Sequence, residues 1–368
     1  MKIKKYKKYF LRFRLFGFAV FVVVLAFFIA LFFFLPKSPK NVCSFIQSRQ
    51  SEVCLDKELT KILETEGLEA LIKFVKNEIV DKNAGYAVSH LIFHYIGEYA
   101  YDHTGSLDKT LSFIYPYIPQ NSANNPLTIY MDGIDGFLHG SISRYFIEHK
   151  NESPKALISS VCDKKFDFKS KTWKVPDCFH TIGHAVMASN NNEVSKSITI
   201  CESATYAYQI NDCQYGVFME NGMLYSSDYH RGLPRPSVKG SSMVNLCNGY
   251  KDTQAINCSQ IVGLSILINN SNDISLGFSE CAKIVDNTPE KLRYRSCIKM
   301  SALWFITTYN KGDFKGMIET CKLLKFEFQG NCLNSVSKGL MLGEAGKRYK
   351  NFDFCSLVEE KLRSQCRE

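Results

Sequence analysis

Apolar and polar residues follow two different patterns along this chain. Residues 15–35, LFGFAVFVVVLAFFIALFFFL, contain no charged or hydrogen-bonding side chain, and as a helix they would span about 31 Å at roughly 1.5 Å per residue. Beyond them, polar residues separate shorter apolar or amphipathic runs, such as those that begin at Cys258 and Cys297. The first pattern predicts a transmembrane helix, because its length matches a hydrocarbon core of about 30 Å. The second predicts a body of short packed helices.

Charges around the apolar segment predict its orientation. Seven Lys and Arg residues precede it and only Lys37 and Lys40 follow closely, so the positive-inside rule places the N-terminus in the cytoplasm. A cleaved signal peptide is the alternative, but its apolar region is normally about 7 to 15 residues long and ends at a small-x-small site. We therefore expect a single-pass membrane protein with a basic cytoplasmic tail (1–14), an anchor (15–35), a linker (36–42) and an extracytoplasmic domain (43–368).

The same charges exclude some classes of function. The chain carries 45 Lys and Arg against 36 Asp and Glu, a net charge of +9. Nine of the basic residues and no acidic one lie in residues 1–40, so the rest of the chain is formally neutral. A neutral body argues against nucleic acid as a partner, and 45% hydrophobic residues argue against a disordered chain. Glycine-rich phosphate-binding motifs are missing from the sequence, so no nucleotide is expected either.

The cysteines mark a repeat. The sequence contains 14 of them, and they fall into seven consecutive pairs whose members are 11 to 16 residues apart. From Cys162 onward the pairs recur every 34 to 46 residues, a period typical of helical-hairpin solenoids. The pairs are Cys43 with Cys54, Cys162 with Cys178, Cys201 with Cys213, Cys247 with Cys258, Cys281 with Cys297, Cys321 with Cys332, and Cys355 with Cys366.

An extracytoplasmic location favours disulfides for these pairs, because that compartment is oxidising. No Cys-x-x-Cys motif occurs in the sequence, which disfavours zinc ribbons and redox dithiols. Residues favoured at helix N-caps precede the second cysteine of five pairs, which predicts that a helix begins at that cysteine. Each disulfide would then join the end of one helix to the start of the next. The five residues are Asp177, Asp212, Asn257, Ser296 and Asn331.

The sequence thus predicts an all-α fold: an α-solenoid of about eight or nine disulfide-stapled helical hairpins behind one transmembrane helix. Within the extracytoplasmic domain, cysteine-poor repeats occupy 43–160, repeats with His and Glu occupy 161–245, and cysteine-pair repeats occupy 246–368.

Histidine and acidic side chains share helix faces in successive repeats. His94 lies four residues after His90 and His184 four after His180, and the sequence His180-Thr-Ile-Gly183 matches His94-Tyr-Ile-Gly97. Pairs at i, i+4 are the usual way in which one helix offers two ligands to Zn or Fe. The candidate metal ligands, on four successive predicted helices, are His90, His94, Asp135, His139, His180, His184 and Glu220.

Two questions about these histidines stay open in the sequence. Buried histidines that only hydrogen-bond to each other would give the same spacing. Neighbouring helices also pack about 8 to 10 Å apart, so four in a row are too far apart for one ion unless the array curls tightly. Two sites, or one site that combines His139, His180, His184 and a neighbour, are easier to build. His230 lies in a polar insertion that is either a lid or an ordinary surface loop.

Two functions fit these patterns. The first is a membrane-anchored extracytoplasmic metalloprotein that binds Zn or Fe and, if it is an enzyme, uses metal-activated water or oxygen. The second is a non-enzymatic scaffold that binds another protein of the cell envelope. Convergence of the histidines in space would favour the first, because a scaffold has no need to direct them towards one another.

Overall fold

We describe the protein from a computed structural model. It describes residues 49–75, 86–114, 129–163, 175–222, 240–269, 273–288, 290–309, 312–341, 349 and 351–368. The predicted anchor, the linker and the insertion with His230 lie outside these residues. None of the described helices combines the length and apolar character that a membrane span requires. The chain divides into a unit of residues 1–55 and a unit of residues 56–368, and the site lies in the second unit.

The described residues are helical and include no β-strand, as the sequence predicts. Long and short helices alternate for most of the chain. In chain order the helices are α1 (Arg49–Val75), α2 (Tyr86–Thr104), α3 (Leu107–Ile114), α4 (Ile129–Glu148), α5 (Pro154–Ile158), α6 (Val175–Ser189), α7 (Val194–Cys201), α8 (Ala207–Gly222), α9 (Gly240–Asn248), α10 (Asp252–Asn269), α11 (Ile274–Cys281), α12 (Leu292–Trp304), α13 (Phe314–Lys322), α14 (Phe326–Gly339) and α15 (Glu360–Arg367). Single π-helical turns follow α5 (Ser159–Asp163) and α12 (Phe305–Tyr309).

Each long helix packs against the next one along the chain, from α2 through α4, α6, α8, α10 and α12 to α14. Short helices pack beside the long helices that they connect, as α7 does between α6 and α8. The fully buried side chains of the long helices are mostly apolar, for example Phe137, Phe179 and Phe218. Helix α2 also contacts the π-helical turn that ends α12, so this row of helices curves.

Disulfides join consecutive helices as the sequence predicts. Within the described residues six of the seven predicted pairs are bonded, with Cα–Cα distances between 5.3 and 5.9 Å. Every bonded cysteine is buried, so the staples belong to the core between successive helices. The bonds join Cys162 to Cys178, Cys201 to Cys213, Cys247 to Cys258, Cys281 to Cys297, Cys321 to Cys332, and Cys355 to Cys366.

The ends of the short helices also agree with the predicted staples. In four of the bonded pairs, the first cysteine ends or nearly ends a short helix: Cys201 in α7, Cys247 in α9, Cys281 in α11 and Cys321 in α13. The seventh predicted bond, between Cys43 and Cys54, lies outside the side chains that the structure describes, so it stays a prediction.

The predicted helix starts are wrong by about one to two turns. Helix α6 begins three residues before Cys178, α12 begins five residues before Cys297, and α8, α10 and α14 begin six residues before the second cysteines of their pairs. The second cysteine therefore lies inside its helix, and from there its sulfur bonds to the preceding segment. In α8, α10 and α14 these second cysteines are Cys213, Cys258 and Cys332.

Side-chain caps occur instead on short helices. Asp273 accepts hydrogen bonds from the backbone N–H groups of Ser275 and Leu276 at the start of α11, and Asp313 accepts one from that of Gly316 at the start of α13. These caps satisfy backbone donors that have no partner within the helix.

Glycines let two pairs of long helices approach to backbone contact. At the crossing of α2 and α4, a Cβ on Gly97 would overlap the carbonyl oxygen of Phe137, and a Cβ on Gly140 would overlap that of His94. Gly183 of α6 and Gly216 of α8 meet in the same way. Only glycine permits so close a crossing. The first crossing brings together the histidine-bearing faces of α2 and α4, and the second brings the histidine-bearing face of α6 against α8, which carries Glu220.

Candidate metal centre

Three buried imidazoles from three successive long helices meet at one point. His94 of α2, His139 of α4 and His184 of α6 each offer a ring nitrogen, and these nitrogens all lie within 4.8 Å of one another. The side chains are 0%, 2% and 1% exposed. The rings of His139 and His184 stack with centroids 4.3 Å apart, while the ring of His94 meets that of His139 edge-on at 5.6 Å.

The fourth helix of the group supplies a carboxylate. Glu220 of α8 is 1% exposed, and its Oε2 lies 2.6 Å from Nδ1 of His184. In this arrangement the Nδ1–H of His184 donates to the carboxylate, so the lone pair of the neutral ring is on Nε2. Histidines that bind metals are usually held in this way, with the outer ring nitrogen donating to a carboxylate and the inner one facing the ion.

A second carboxylate is placed in a related way. Glu98 lies one turn after His94 on α2 and is 0% exposed. Its Oε1 is 3.9 Å from Nδ1 of His94, which is beyond hydrogen-bond distance. Two of the three imidazoles therefore have a buried carboxylate on the Nδ1 side.

His180 forms the outer edge of the cluster. Its Nε2 lies 3.2 Å from Nε2 of His184, and its ring centroid is 5.4 Å from that of His139. Unlike the three imidazoles above, His180 is partly exposed.

Tyr215 packs against His180, with the centroids of the two rings 5.4 Å apart. Burial raises the pKa of the Tyr215 hydroxyl, which therefore stays protonated and donates to Sδ of Met300 at 3.8 Å.

The structure brings together most of the side chains that the sequence singles out. His94, His139, His180, His184 and Glu220 lie in one cluster. The two other candidate ligands, His90 and Asp135, cannot be placed in it. The side chain of His90 lies outside those that the structure describes, and so does that of Asp135.

Glu98 is the residue that sequence reasoning left out. The spacing aligns Glu98 with His94 on one helix face, but Glu98 is not among the predicted ligands. Its position four residues after His94 indicates that its side chain lies beside the His94 ring.

The expectation that four helices in a row are too far apart for one ion holds unless the array curls tightly. It assumes ordinary spacing of about 8 to 10 Å between neighbouring axes, whereas the glycine crossings of α2 with α4 and of α6 with α8 allow closer approach. Side chains from all four helices converge there: His94, His139 and His184 within 4.8 Å of one another, and Glu220 against His184. One centre, rather than two separate ones, is therefore what the geometry offers.

Compared with known proteins, the chain matches no protein-family model, no curated protein and no solved structure.

The donor set fits a borderline transition metal. Imidazole nitrogens suit Zn, Cu, Fe and Ni, and the three rings lie in a buried site from which most water is excluded. Two ligand nitrogens of a tetrahedral zinc ion with bonds of about 2.0 to 2.1 Å lie roughly 3.3 to 3.4 Å apart. The 3.2 Å between the Nε2 atoms of His180 and His184 is close to that value, whereas the 4.8 Å limit of the three-histidine set requires a small inward movement of the rings.

Proposed function

We propose that the protein is an extracytoplasmic metal-binding protein whose buried site holds one zinc ion. His94, His139 and His184 would be its ligands. Glu220 would hold His184 in the tautomer that binds through Nε2, and Glu98 would add a carboxylate on the Nδ1 side of His94. A bound zinc ion supplies Lewis acidity and lowers the pKa of a coordinated water.

The observation that carries this proposal is the convergence of three buried imidazoles from three different helices. Burying three imidazoles and two carboxylates is costly when they have no common purpose, because buried polar groups lose their hydration. An ion shared by the three rings would offset that cost. The alternative, a hydrogen-bonded histidine pair, accounts for His180 and His184 but does not require His94 and His139 to approach them.

Zinc is favoured over iron by the types of donor that face the centre. Mononuclear iron sites usually include a carboxylate in the first coordination sphere, whereas an oxygen of Glu220 is already 2.6 Å from Nδ1 of His184. Three histidines and an open position form a ligand set that is characteristic of catalytic zinc. Ferrous iron is therefore the competing metal in the test below.

The setting that we propose is the outer side of a membrane. The apolar segment 15–35 would anchor the chain, and the disulfide-stapled helical repeats would continue as a solenoid. Six buried disulfides among the described residues support an oxidising compartment. Resistance of the protein to alkaline extraction from membranes, together with protease access to its C-terminal part from the outer side only, would test this setting.

The test of metal binding uses the full-length protein, purified without a histidine tag and stripped with a chelator. Zinc, ferrous iron and cobalt would each be titrated in, and the bound metal would be measured by mass spectrometry. We expect one zinc per chain and a tetrahedral visible spectrum for the cobalt form. The variants His139→Ala and His184→Gln should lose about 10- to 100-fold or more in affinity.

The control is His103→Ala, which removes an exposed histidine at the end of α2 and should bind zinc as the wild type does. Circular dichroism would verify that every variant is folded. Stoichiometric zinc binding by a folded His139→Ala variant would refute the proposed ligand set. Iron binding with an octahedral spectrum and no zinc binding would refute the choice of metal.

A second candidate function, partner binding, is favoured by exposed apolar residues in the disulfide-closed loops. Leu323 is 74% exposed, and Tyr206, Val285, Phe326 and Leu357 also lie on the surface of such loops. Scattered exposed apolar residues are ordinary, but here they recur between stapled cysteines. If this function holds, crosslinking to a purified partner should be lost in Leu323→Ser and kept in His139→Ala.

A further inference from the structure

The buried centre poses a problem of access. A metal ion that arrives from solvent carries a shell of bound water, and the ligands of this site are only 0% to 2% exposed. Removing that water is costly unless protein ligands replace the water molecules one by one. Among the described histidines of the cluster, His180 is the one with partial exposure. It therefore lies where an ion would first meet the site.

We infer that His180 is an outer ligand that passes the metal to and from the buried three-histidine site. The inference rests on the proposed function, because it needs the inner site to bind metal. In this arrangement His180 and His184 first hold the ion, and His184 then remains bound while His94 and His139 replace His180.

Positions on one helix support this role. His180 and His184 are one turn apart on α6, and their Nε2 atoms are 3.2 Å apart. That separation suits two nitrogens on one tetrahedral ion, for which about 3.3 to 3.4 Å is expected. The hydrogen bond between the two rings would be replaced by two metal bonds, with the shared proton released to solvent.

The inner site lies immediately beyond this pair. The ring of His139 is 4.3 Å from that of His184 and 5.4 Å from that of His180, so it borders both positions. His94 lies farther inward, at 6.4 Å from His184, and His180 is not part of the three-histidine set with mutual distances within 4.8 Å. The transfer therefore breaks one nitrogen–metal bond to His180 and forms new ones to His139 and His94, while the charge of the ion is unchanged.

Tyr215 gives His180 a fixed side and an open side. Its ring packs against that of His180 at 5.4 Å, and its hydroxyl is held by Met300. His180 thus has one face against protein, and its partly exposed edge is where hydrated zinc would arrive.

The experiment measures metal exchange in the full-length protein. Zinc association would be followed by stopped-flow fluorescence with a zinc-sensitive dye, and release by transfer to an excess of chelator. In His180→Ala we expect the association and dissociation rates to fall together by about 10-fold or more, with the equilibrium affinity unchanged. His103→Ala is the matched control and should exchange at the wild-type rates, and His180→Gln repeats the test with less loss of side-chain volume.

Two results would overturn the inference. Exchange rates in both His180 variants equal to those of the wild type would mean that zinc reaches the inner site by another route. A loss of affinity as large as that of His139→Ala, caused by faster release, would make His180 a permanent fourth ligand instead. Failure of the wild-type protein to bind zinc is a different outcome, because it refutes the proposed function and removes the basis of the transfer with it.

Discussion

The crossing of α2 and α4 offers a direct test of how the fold builds the site. Gly140 of α4 lies against the backbone of α2, where an added Cβ would be 2.9 Å from the amide nitrogen of Glu98 and would overlap the carbonyl oxygen of His94. Comfortable contacts between such atoms are about 3.5 to 4.0 Å. In Gly140→Ala the two helices must therefore separate by on the order of 1 Å.

Two opposing effects set the size of the change in stability. Alanine favours the helix by about 1 kcal/mol relative to glycine, whereas overpacking of a core typically costs about 1 to 3 kcal/mol. Because the overlap is with backbone that cannot rotate away, we take the overpacking cost as about 2 to 3 kcal/mol, which leaves a net fall of about 1 to 2 kcal/mol in the free energy of unfolding. His94 and His139, on either side of the crossing, would also move apart, so zinc affinity should fall by about 10-fold or more.

Urea denaturation of the metal-free protein would measure the first effect, and zinc titration by competition with a chelator would measure the second. Gly249→Ala is the matched control, because a Cβ there lies 3.2 Å from the carbonyl oxygen of Leu246 in an exposed turn. Its effect should stay within about 0.5 kcal/mol. A Gly140→Ala variant that is as stable as the wild type and binds zinc equally well would refute the reasoning from the crossing to the site.

Two further predictions concern the C-terminal repeats. Replacing both Cys281 and Cys297 with Ala should lower the free energy of unfolding by about 3 kcal/mol, because the disulfide closes a loop of about 15 residues; an unchanged urea midpoint would contradict this. Burial acts to raise the pKa of Asp286, but hydrogen bonds from Thr288 and the backbone N–H of Tyr294 outweigh it and lower the pKa below its ordinary 3.8. The stabilisation is therefore present above about pH 3.8 and is lost as the pH falls towards the folded-state pKa. Denaturation between about pH 3 and 6 should show a smaller acid loss in Asp286→Asn than in the wild type.

The disulfide pairing was predictable from the sequence because it is local. Cysteines 11 to 16 residues apart reach each other more readily than distant partners, and the repeat period indicates a turn between two helices at each pair. The helix starts were not predictable to the residue, since Asp212 and Asn257 are favoured N-cap types but lie inside α8 and α10. The residue at which each helix begins depends on how the helix packs against its neighbours, which the local sequence does not show.

The helix faces that carry the site residues were predictable from the sequence, but the close approach of these faces was not. Spacing along one helix placed His180 with His184 on one face, and the same spacing relates Glu98 to His94. The distance between helices depends on glycine crossings, and the sequence shows Gly97 and Gly140 without showing that they oppose each other. Whether these helices come close enough to share one ion therefore stayed open in the sequence.

The short range of the disulfides has a consequence for how the chain matures. Every described disulfide joins cysteines that are consecutive in the sequence. Oxidation that proceeds from the N-terminus, joining each new cysteine to the one before it, therefore yields the native pairs once the first pair has formed. A vectorially synthesised chain of this kind has little need of an isomerase, whereas loss of a single cysteine would shift the pairing of all those that follow it.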